Sequence, residues 1–391
     1  MQKEILTEKI PLKLWLDDPE EGALEQAKNL ANLPFAFKHV CLMPDAHQGY
    51  GMPIGGVLAT ENVIIPNAVG VDIGCGMCFV ETNIEAKSVS KDTFIKIMKN
   101  IRNHIPIGFN HHKQNQDADL MPKGHNIDEL IIVKEQYYRA LKQLGTLGGG
   151  NHFIELQKSH KGFLCIMIHS GSRNFGYLVA EYYNNLAKQL NAEHNPFNVP
   201  ANALLAYLMF DSKEGQLYFK EMNYCTEFAL ANRKLMLERI KYVIGNSIKD
   251  VTFSPMVNIA HNYAAQEEHF GKMVLVHRKG ATSAKKGETG IIPGSQGTKS
   301  YIVEGLGNPE SFMSCSHGAG RVMSRTSAIK NLSLEEEKEK LDKLGIIHSI
   351  RGKNDLEEAS SAYKDIEEVM ALQADLVKIV IELEPLAVVK G

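Results

Sequence analysis

The strongest constraint on this chain is a repeated conflict: apolar, strand-like runs end in a histidine, cysteine or acid beside glycine. It occurs at Asp72-Ile73-Gly74-Cys75, Gly149-Gly150-Asn151-His152-Phe153-Ile154-Glu155, Ile166-Met167-Ile168-His169-Ser170-Gly171 and Val257-Asn258-Ile259-Ala260-His261-Asn262. Met313-Ser314-Cys315-Ser316-His317-Gly318-Ala319-Gly320-Arg321 has the same character. Buried imidazole and carboxylate cost free energy unless they are paired or bind a metal. One such histidine is ordinary. Many of them, far apart in sequence, call for a fold that brings strand ends to one place. Asp72, Cys75, His152, His169 and His261 then form a candidate metal-ligand set, each imidazole offering one ring nitrogen.

The ion itself stays open at this level. Cysteine with histidine favours Zn²⁺ or another borderline ion, whereas Mn²⁺ is usually read from oxygen-rich sites. A bridging thiolate could hold two ions, which suits phosphoryl chemistry. Cys75-Gly76-Met77-Cys78 is a Cys-x-x-Cys pair, but strand alternation sends the two thiols to different surroundings. Cys75 reads as a ligand and Cys78 as core.

Composition adds limits. The 391 residues are 44% hydrophobic and 23% charged, as in an ordinary globular protein. Six cysteines in this length do not make a disulfide framework. No apolar run is long enough to span a membrane and no signal core opens the chain, so the expected location is cytoplasmic. A net charge of −3 gives no bulk attraction to nucleic acid, although a local basic groove is compatible with it.

Periodicity predicts a strand at Ile10–Leu16 and helices over 19–33, 90–103, 127–143, 177–190, 213–244, 334–343 and 361–373. Strands are expected at 153–156, 163–168, 273–276 and 301–303, with a last one leading to Lys390. Residues 111–125 and 191–215 read as loops. No repeat, linker or composition break divides the chain, so a single domain over residues 1–391 is expected. The irregular alternation argues against a doubly wound sheet or an α/β barrel and for a mixed α+β class.

No Gly-x-x-x-x-Gly-Lys-Ser/Thr loop occurs, and Gly145 to Gly150 lack dinucleotide-binding spacing. Pro293-Gly294-Ser295-Gln296-Gly297-Thr298 offers turn amides and hydroxyls that can cradle a phosphate or a base edge. Arg173, Arg278, Lys279, Arg321 and Arg325 follow the histidine segments, as expected for groups that meet phosphate oxygens.

Taken in order, these segments resemble the RtcB family of RNA ligases, from Pro44-Asp45-Ala46-His47-Gln48-Gly49 through His277-Arg278-Lys279-Gly280-Ala281-Thr282 to Val389-Lys390-Gly391. The resemblance implies a mixed fold with a β-sandwich-like core of mixed sheets surrounded by helices. It implies GTP- and Mn²⁺-dependent joining of RNA 2′,3′-cyclic phosphate or 3′-phosphate ends to 5′-hydroxyl ends, in tRNA splicing or RNA repair. An archease-like activator is a candidate partner. By the same resemblance Cys75 bridges two Mn²⁺ ions, Asp72 and His152 serve one, and His169 and His261 the other. His317 attacks the α-phosphate of GTP and carries GMP. Asn151, His152, Phe153, Glu155, His261, Asn262, Pro293, Gly294, Ser295, Gln296, Ser300, His317, Gly318, Ala319, Gly320 and Lys390 surround the nucleotide. Asp45 matches an acid near the metals, and Arg173, Arg321 and Arg325 are candidates for RNA phosphates. The alternative is a di-metal phosphodiesterase or phosphatase that uses the same ligands without guanylylation; a non-catalytic metal- or RNA-binding protein is a further one.

Overall fold

The computed structural model describes residues 1–391. Two larger sheets dominate it. One has six strands in the order Lys3–Ile5, Leu12–Leu14, Ala36–Tyr50, Met52–Thr60, Lys272–Lys279 and Asn262–His269. The other has seven, in the order Val257–Ala260, Gly76–Glu85, Phe163–Ser170, Phe153–Ser159, Val377–Lys390, Ser300–Gly305 and Thr289–Ile292. Pairing is antiparallel except between Leu12–Leu14 and Ala36–Tyr50. One apolar cluster joins Val57 and Val276 of the first sheet to Ile292, Tyr301 and Val377 of the second, so the sheets share a core as a sandwich does. The expected α+β class holds.

The helices form where the sequence periodicity places them. Lys91–His104 buries Phe94, Ile97, Met98 and Ile101, a stripe of one helical face. Its N-cap Ser90 accepts from the Thr93 amide, which is worth about 1 kcal/mol. That stripe meets Val80, Ile154, Ile166 and Val389 of the seven-stranded sheet. Truncating Ile101 to alanine there costs roughly 2–5 kcal/mol. Lys213–Gly245 runs 33 residues, capped by Ser212. Cys78 is buried in the same core as Ile154, as alternation requires, and all six cysteines are free.

Some boundaries differ from expectation. The strand expected at Ile10–Leu16 is confined to Leu12–Leu14. The helix expected from residue 127 begins at Ile131, after a short 3-10 turn, because the buried Glu221 carboxylate takes the Ile132 amide. The last helix starts at Ile366, capped by Asp365, not at 361. The strand expected at 273–276 runs from Lys272 on through Arg278 and Lys279. No helix is long and apolar enough to cross a membrane.

The site follows from how the chain changes sheets. Val257–Ala260 belongs to the seven-stranded sheet and Asn262–His269 to the six-stranded one, so His261 is the crossing residue. Its amide donates to the Cys75 carbonyl at 2.8 Å. The chain leaves the six-stranded sheet again at Gly280, whose φ of +59° suits glycine.

Candidate functional site

Four segments converge at this crossing. The turn before Gly76–Glu85 uses Gly74 at φ +71°, where a Cβ would lie 2.7 Å from the Thr226 backbone. It aims Cys75 inward. Cys75 Sγ lies 3.3 Å from His169 Nε2 and 3.4 Å from His152 Nε2. His152 Nε2 is 3.1 Å from Asp72 Oδ2, and His169 Nε2 is 3.4 Å from His261 Nε2. The four donors other than Asp72 are buried. Cys75, His152 and His169 alone present three ligand atoms close enough to hold one metal ion. The Asn151 carbonyl sits 3.1 Å from His169 Nδ1, so Nδ1–H donates there and leaves the Nε2 lone pair facing the cluster.

The cluster has a staple that the sequence reading did not single out. Arg233, fully buried on the helix Lys213–Gly245, donates through Nη1 to the carbonyls of Gly74 at 2.9 Å and Ser170 at 2.7 Å. Nη2 donates to Ile259 at 3.1 Å and Nε to Asn258 Oδ1 at 2.7 Å. One guanidinium therefore ties together the chain beside Cys75, His169 and His261. Its neighbour Asn232 binds the backbone of Gly145, Thr146 and Gly171. Asn-Arg amid Phe228, Ala229, Met236 and Leu237 on a buried face was the available signal.

Electrostatics favour a cation here. Burial and the neighbouring Asp72 push the Cys75 thiol well above its ordinary range. Burial and the surrounding histidines drive His169 and His261 well below theirs. Burial would raise the Asp72 carboxyl, but the hydrogen bond from His152 and the charges of His152 and Arg173 bring it down to about 2. His169 and His261 are thus held neutral, and the His169 Nε2 lone pair faces the cluster, while His152 Nε2 is turned to both Asp72 and Cys75. A bound cation would reverse the thiol's preference and hold it as thiolate.

A cavity of about 460 Å³ opens beside the cluster, large enough for a nucleotide. His317 is on its wall, its ring centroid 4.7 Å from that of His261. The buried Asp45 holds it: Oδ2 accepts from His317 Nδ1 at 2.6 Å, from the His317 amide at 3.0 Å and from the Gly318 amide at 3.3 Å. Nδ1 thus carries the proton and Nε2 keeps its lone pair. Lys364 Nζ fixes the carbonyls of Pro44 and Ala46 on either side of Asp45. Gly320, at φ +74°, passes so close to the Asp45 carbonyl that a Cβ would lie 2.2 Å from it.

The far wall is polar. Glu358, buried, receives Arg325 Nε at 2.9 Å and Arg321 Nη1 at 3.3 Å, with the Tyr363 hydroxyl bonded to its other oxygen. Lys390 Nζ lies 3.8 Å from Glu358 and 5.4 Å from the Phe153 ring centre. Burial works against the Glu358 charge, yet Lys390, Tyr363 and the two arginines keep its carboxyl below the usual range. Burial raises Glu155 to about 8 and lowers Lys390. The turn at Pro293–Thr298 is braced by Gly294 N to Ser300 Oγ, Ser295 N to Thr298 Oγ1, and Gln296 Nε2 to the Glu358 carbonyl.

The sequence-derived candidates fall into three places. Asn151, Phe153, Glu155, Pro293, Gly294, Ser295, Gln296, His317, Gly318, Ala319, Gly320, Arg321, Arg325 and Lys390 line the cavity. Asp72, Cys75, His152, His169 and His261 form the cluster, and His169 also reaches the cavity. Asn262 and Ser300 stand behind the wall. Asn262 joins the Asp72 carbonyl to the Gly280 amide, and Ser300 Oγ accepts from Gly294 and Gln157. Arg173 lies 3.3 Å from His152 Nδ1 rather than on the cavity wall.

Arg278 and Lys279, read from sequence as phosphate-facing, are a correction. Arg278 is buried and pairs with both Glu267 oxygens at 2.7 and 2.9 Å, while Lys279 Nζ donates to the carbonyls of Tyr50 and Asn67. Their charge is spent inside the fold. Glu20, His47, Gln48, Glu358 and Tyr363 join the cavity without having been read from sequence as lining residues.

A family model described as tRNA-splicing ligase RtcB matches residues 26–132 and 124–391. The chain is similar to the RNA-splicing ligase RtcB of Escherichia coli K12, with 38% identity over the whole of both chains. It is also similar to the tRNA-splicing ligases RtcB of Nanoarchaeum equitans, 34% identical, and Thermococcus kodakarensis, 31% identical. Each of these comparisons covers 98% of this chain and 95% of the relative.

Proposed function

The chain belongs to the RtcB family of tRNA-splicing ligases, and on that ground we propose that it is an RNA ligase working through a guanylylated His317. The observation that supports this most is Asp45 holding His317 by Nδ1, with Nε2 left as a free nucleophile on the cavity wall beside His261.

The converging residues fit divalent ions. A thiol, three imidazoles and a carboxylate meet, and buried His261 Nδ1 has no hydrogen-bond partner. Asp72, Cys75, His152, His169 and His261 would hold the Mn²⁺ ions. When bound, they would screen the triphosphate and stabilise charge on departing oxygens.

The protein's own residues define the steps. His317 Nε2 attacks the α-phosphorus of GTP; a P–N bond forms and the bond to pyrophosphate breaks. Asp45 holds the Nδ1 proton and stabilises the charge that the ring gains. Lys390 and the turn at Pro293–Gln296 face the nucleotide across the cavity, and Glu155, raised by burial, can donate a hydrogen bond to it. An oxygen of the RNA 3′-phosphate then attacks the same phosphorus. The P–N bond breaks, its electron pair returns to Nε2, and GMP sits on the RNA end. Finally the 5′-hydroxyl attacks the RNA phosphorus, a phosphodiester forms, and GMP leaves. A cyclic phosphate would first be opened by water to the 3′-phosphate.

Incubation with α-labelled GTP and Mn²⁺ tests this. An acid-labile protein–GMP adduct should form, vanish in His317→Ala, and precede joining of 3′-phosphate to 5′-hydroxyl RNA. Release of phosphate from RNA with no adduct would instead establish a di-metal hydrolase.

A further inference from the structure

Phe109 is fully exposed, the most exposed of the large apolar side chains. A single exposed apolar residue is ordinary on any surface. What separates this one is its mounting. Gly108, at φ +62°, makes the turn that presents it, and the Gly108 amide donates to the Gly148 carbonyl at 2.8 Å. Ile107 bridges Gly148, the Leu147 amide donates to Pro106, and the His112 amide donates to Lys142. His112 Nε2 also lies 2.7 Å from Arg239 Nη1. The turn is anchored on both sides of the ring, so the aromatic is held out rather than free to fold back.

Its location is equally specific. Gly148 and Gly149, against which the turn lies, run directly into Asn151 and His152. A Cβ on Gly148 would overlap the Arg173 guanidinium, and one on Gly150 would lie 3.2 Å from Arg325 of the cavity wall. Exposed His111 stands near enough to Arg173 and Arg139 that, besides its partial burial, their charges lower its proton affinity. Lys113, Arg139 and Lys142 are exposed around the same turn. An exposed aromatic on a turn whose neighbouring segments expose cationic side chains, one short glycine run from the donor cluster, has the chemistry of a single-stranded nucleic-acid site: bases stack on the ring while phosphates meet the cations.

We propose that Phe109 is a stacking platform for an unpaired base of the RNA being joined, next to the reacting end. This rests on the RNA-ligase reading and adds a residue that positions substrate. Phe109→Ala should raise the KM for RNA joining roughly tenfold, with Phe109→Tyr close to the parent and the rate of GMP adduct formation unchanged. A second readout does not depend on catalysis. The chain has a single tryptophan, the buried Trp15, so Phe109→Trp installs one exposed reporter. Titration with a single-stranded RNA bearing a 3′-phosphate or a 5′-hydroxyl should quench its emission, and an abasic residue at the stacked position should abolish the quench. An RNA KM within twofold of the parent in Phe109→Ala, or emission from Phe109→Trp that RNA leaves unchanged, would overturn the proposal. If the parent joined no RNA at all, the catalytic reading would fall, while quenching would still establish the platform and its absence remove it.

Discussion

Two buried polar clusters in this protein look alike in sequence and behave differently in the fold. Around Cys75 the donors are turned toward one another, and His261 Nδ1 has no partner. Around Arg278 every charge is answered from within. Arg278 meets Glu267 with two nitrogens, Ser314 and the Phe312 carbonyl; Glu267 also takes His269 at 2.9 Å. Burial opposes both charges, yet Tyr263 and Glu267 hold Arg278 above its ordinary range, and hydrogen bonds from His269 and Arg278 hold Glu267 below its own. Buried polarity that satisfies itself is architecture. Buried polarity left facing its own kind is a place for something else.

That contrast can be broken by mutation. Cys75→Ala should have the largest effect: bound metal, counted by elemental analysis, and RNA joining should fall by about 100-fold or more, while the melting temperature of metal-free protein stays within a few degrees. A metal-free form destabilised as deeply as by a core truncation would show Cys75 to be structural. Arg278→Ala should do the reverse. It strands Glu267 in the interior and should cost about 3–5 kcal/mol in denaturant unfolding, with metal content per folded molecule unchanged. Arg233→Met joins the two regimes, because a self-satisfied group holds the donor-bearing strands. Metal affinity should weaken roughly 10- to 100-fold by competition with a chelator, and unaltered affinity would remove its role as staple.

The smallest expected effect is on pH. Burial lowers His277 and His47 to about 4. The unfolded chain binds protons on them below about 6.5 while the fold does not, so stability falls as pH drops from there toward 4. The limit is about 1.4 kcal/mol per pH unit for each imidazole. Glu267 acts in the same sense at lower pH: its folded carboxyl is depressed, so the stability it adds is present above the ordinary glutamate range and is lost on further acidification. Glu155, raised to about 8, pulls the other way over the same window, so the check is the loss of stability between pH 6.5 and 4.5 in the parent compared with that in His277→Asn; an equal loss would contradict the neutral state of the His277 ring.

The sequence revealed the members of the donor cluster, because histidine and cysteine at the ends of apolar runs conflict with burial wherever they occur. It did not distinguish His277-Arg278-Lys279 from them, since pairing with Glu267 depends on the register of two neighbouring strands. Long helices such as Lys213–Gly245 were legible from periodicity alone. Glu358 was not: it ends the acidic run Asp355-Leu356-Glu357-Glu358, which reads as a solvated face until Arg321, Arg325 and Lys390 close over it. Residues 111–125 were legible as a loop, but not that the turn just before them, at Ile107 and Gly108, would rest on the glycines before His152.

The strand Val377–Lys390 has a temporal consequence. It pairs with Phe153–Ser159 on one side and Ser300–Gly305 on the other, and delivers Lys390 to the cavity. A ribosome that has synthesised only residues 1–376 has already made every donor of the cluster and His317. It has not made the segment that fills the gap between those two strands. Until that stretch clears the exit tunnel, the seven-stranded sheet stays divided and the cavity lacks Lys390 on its wall.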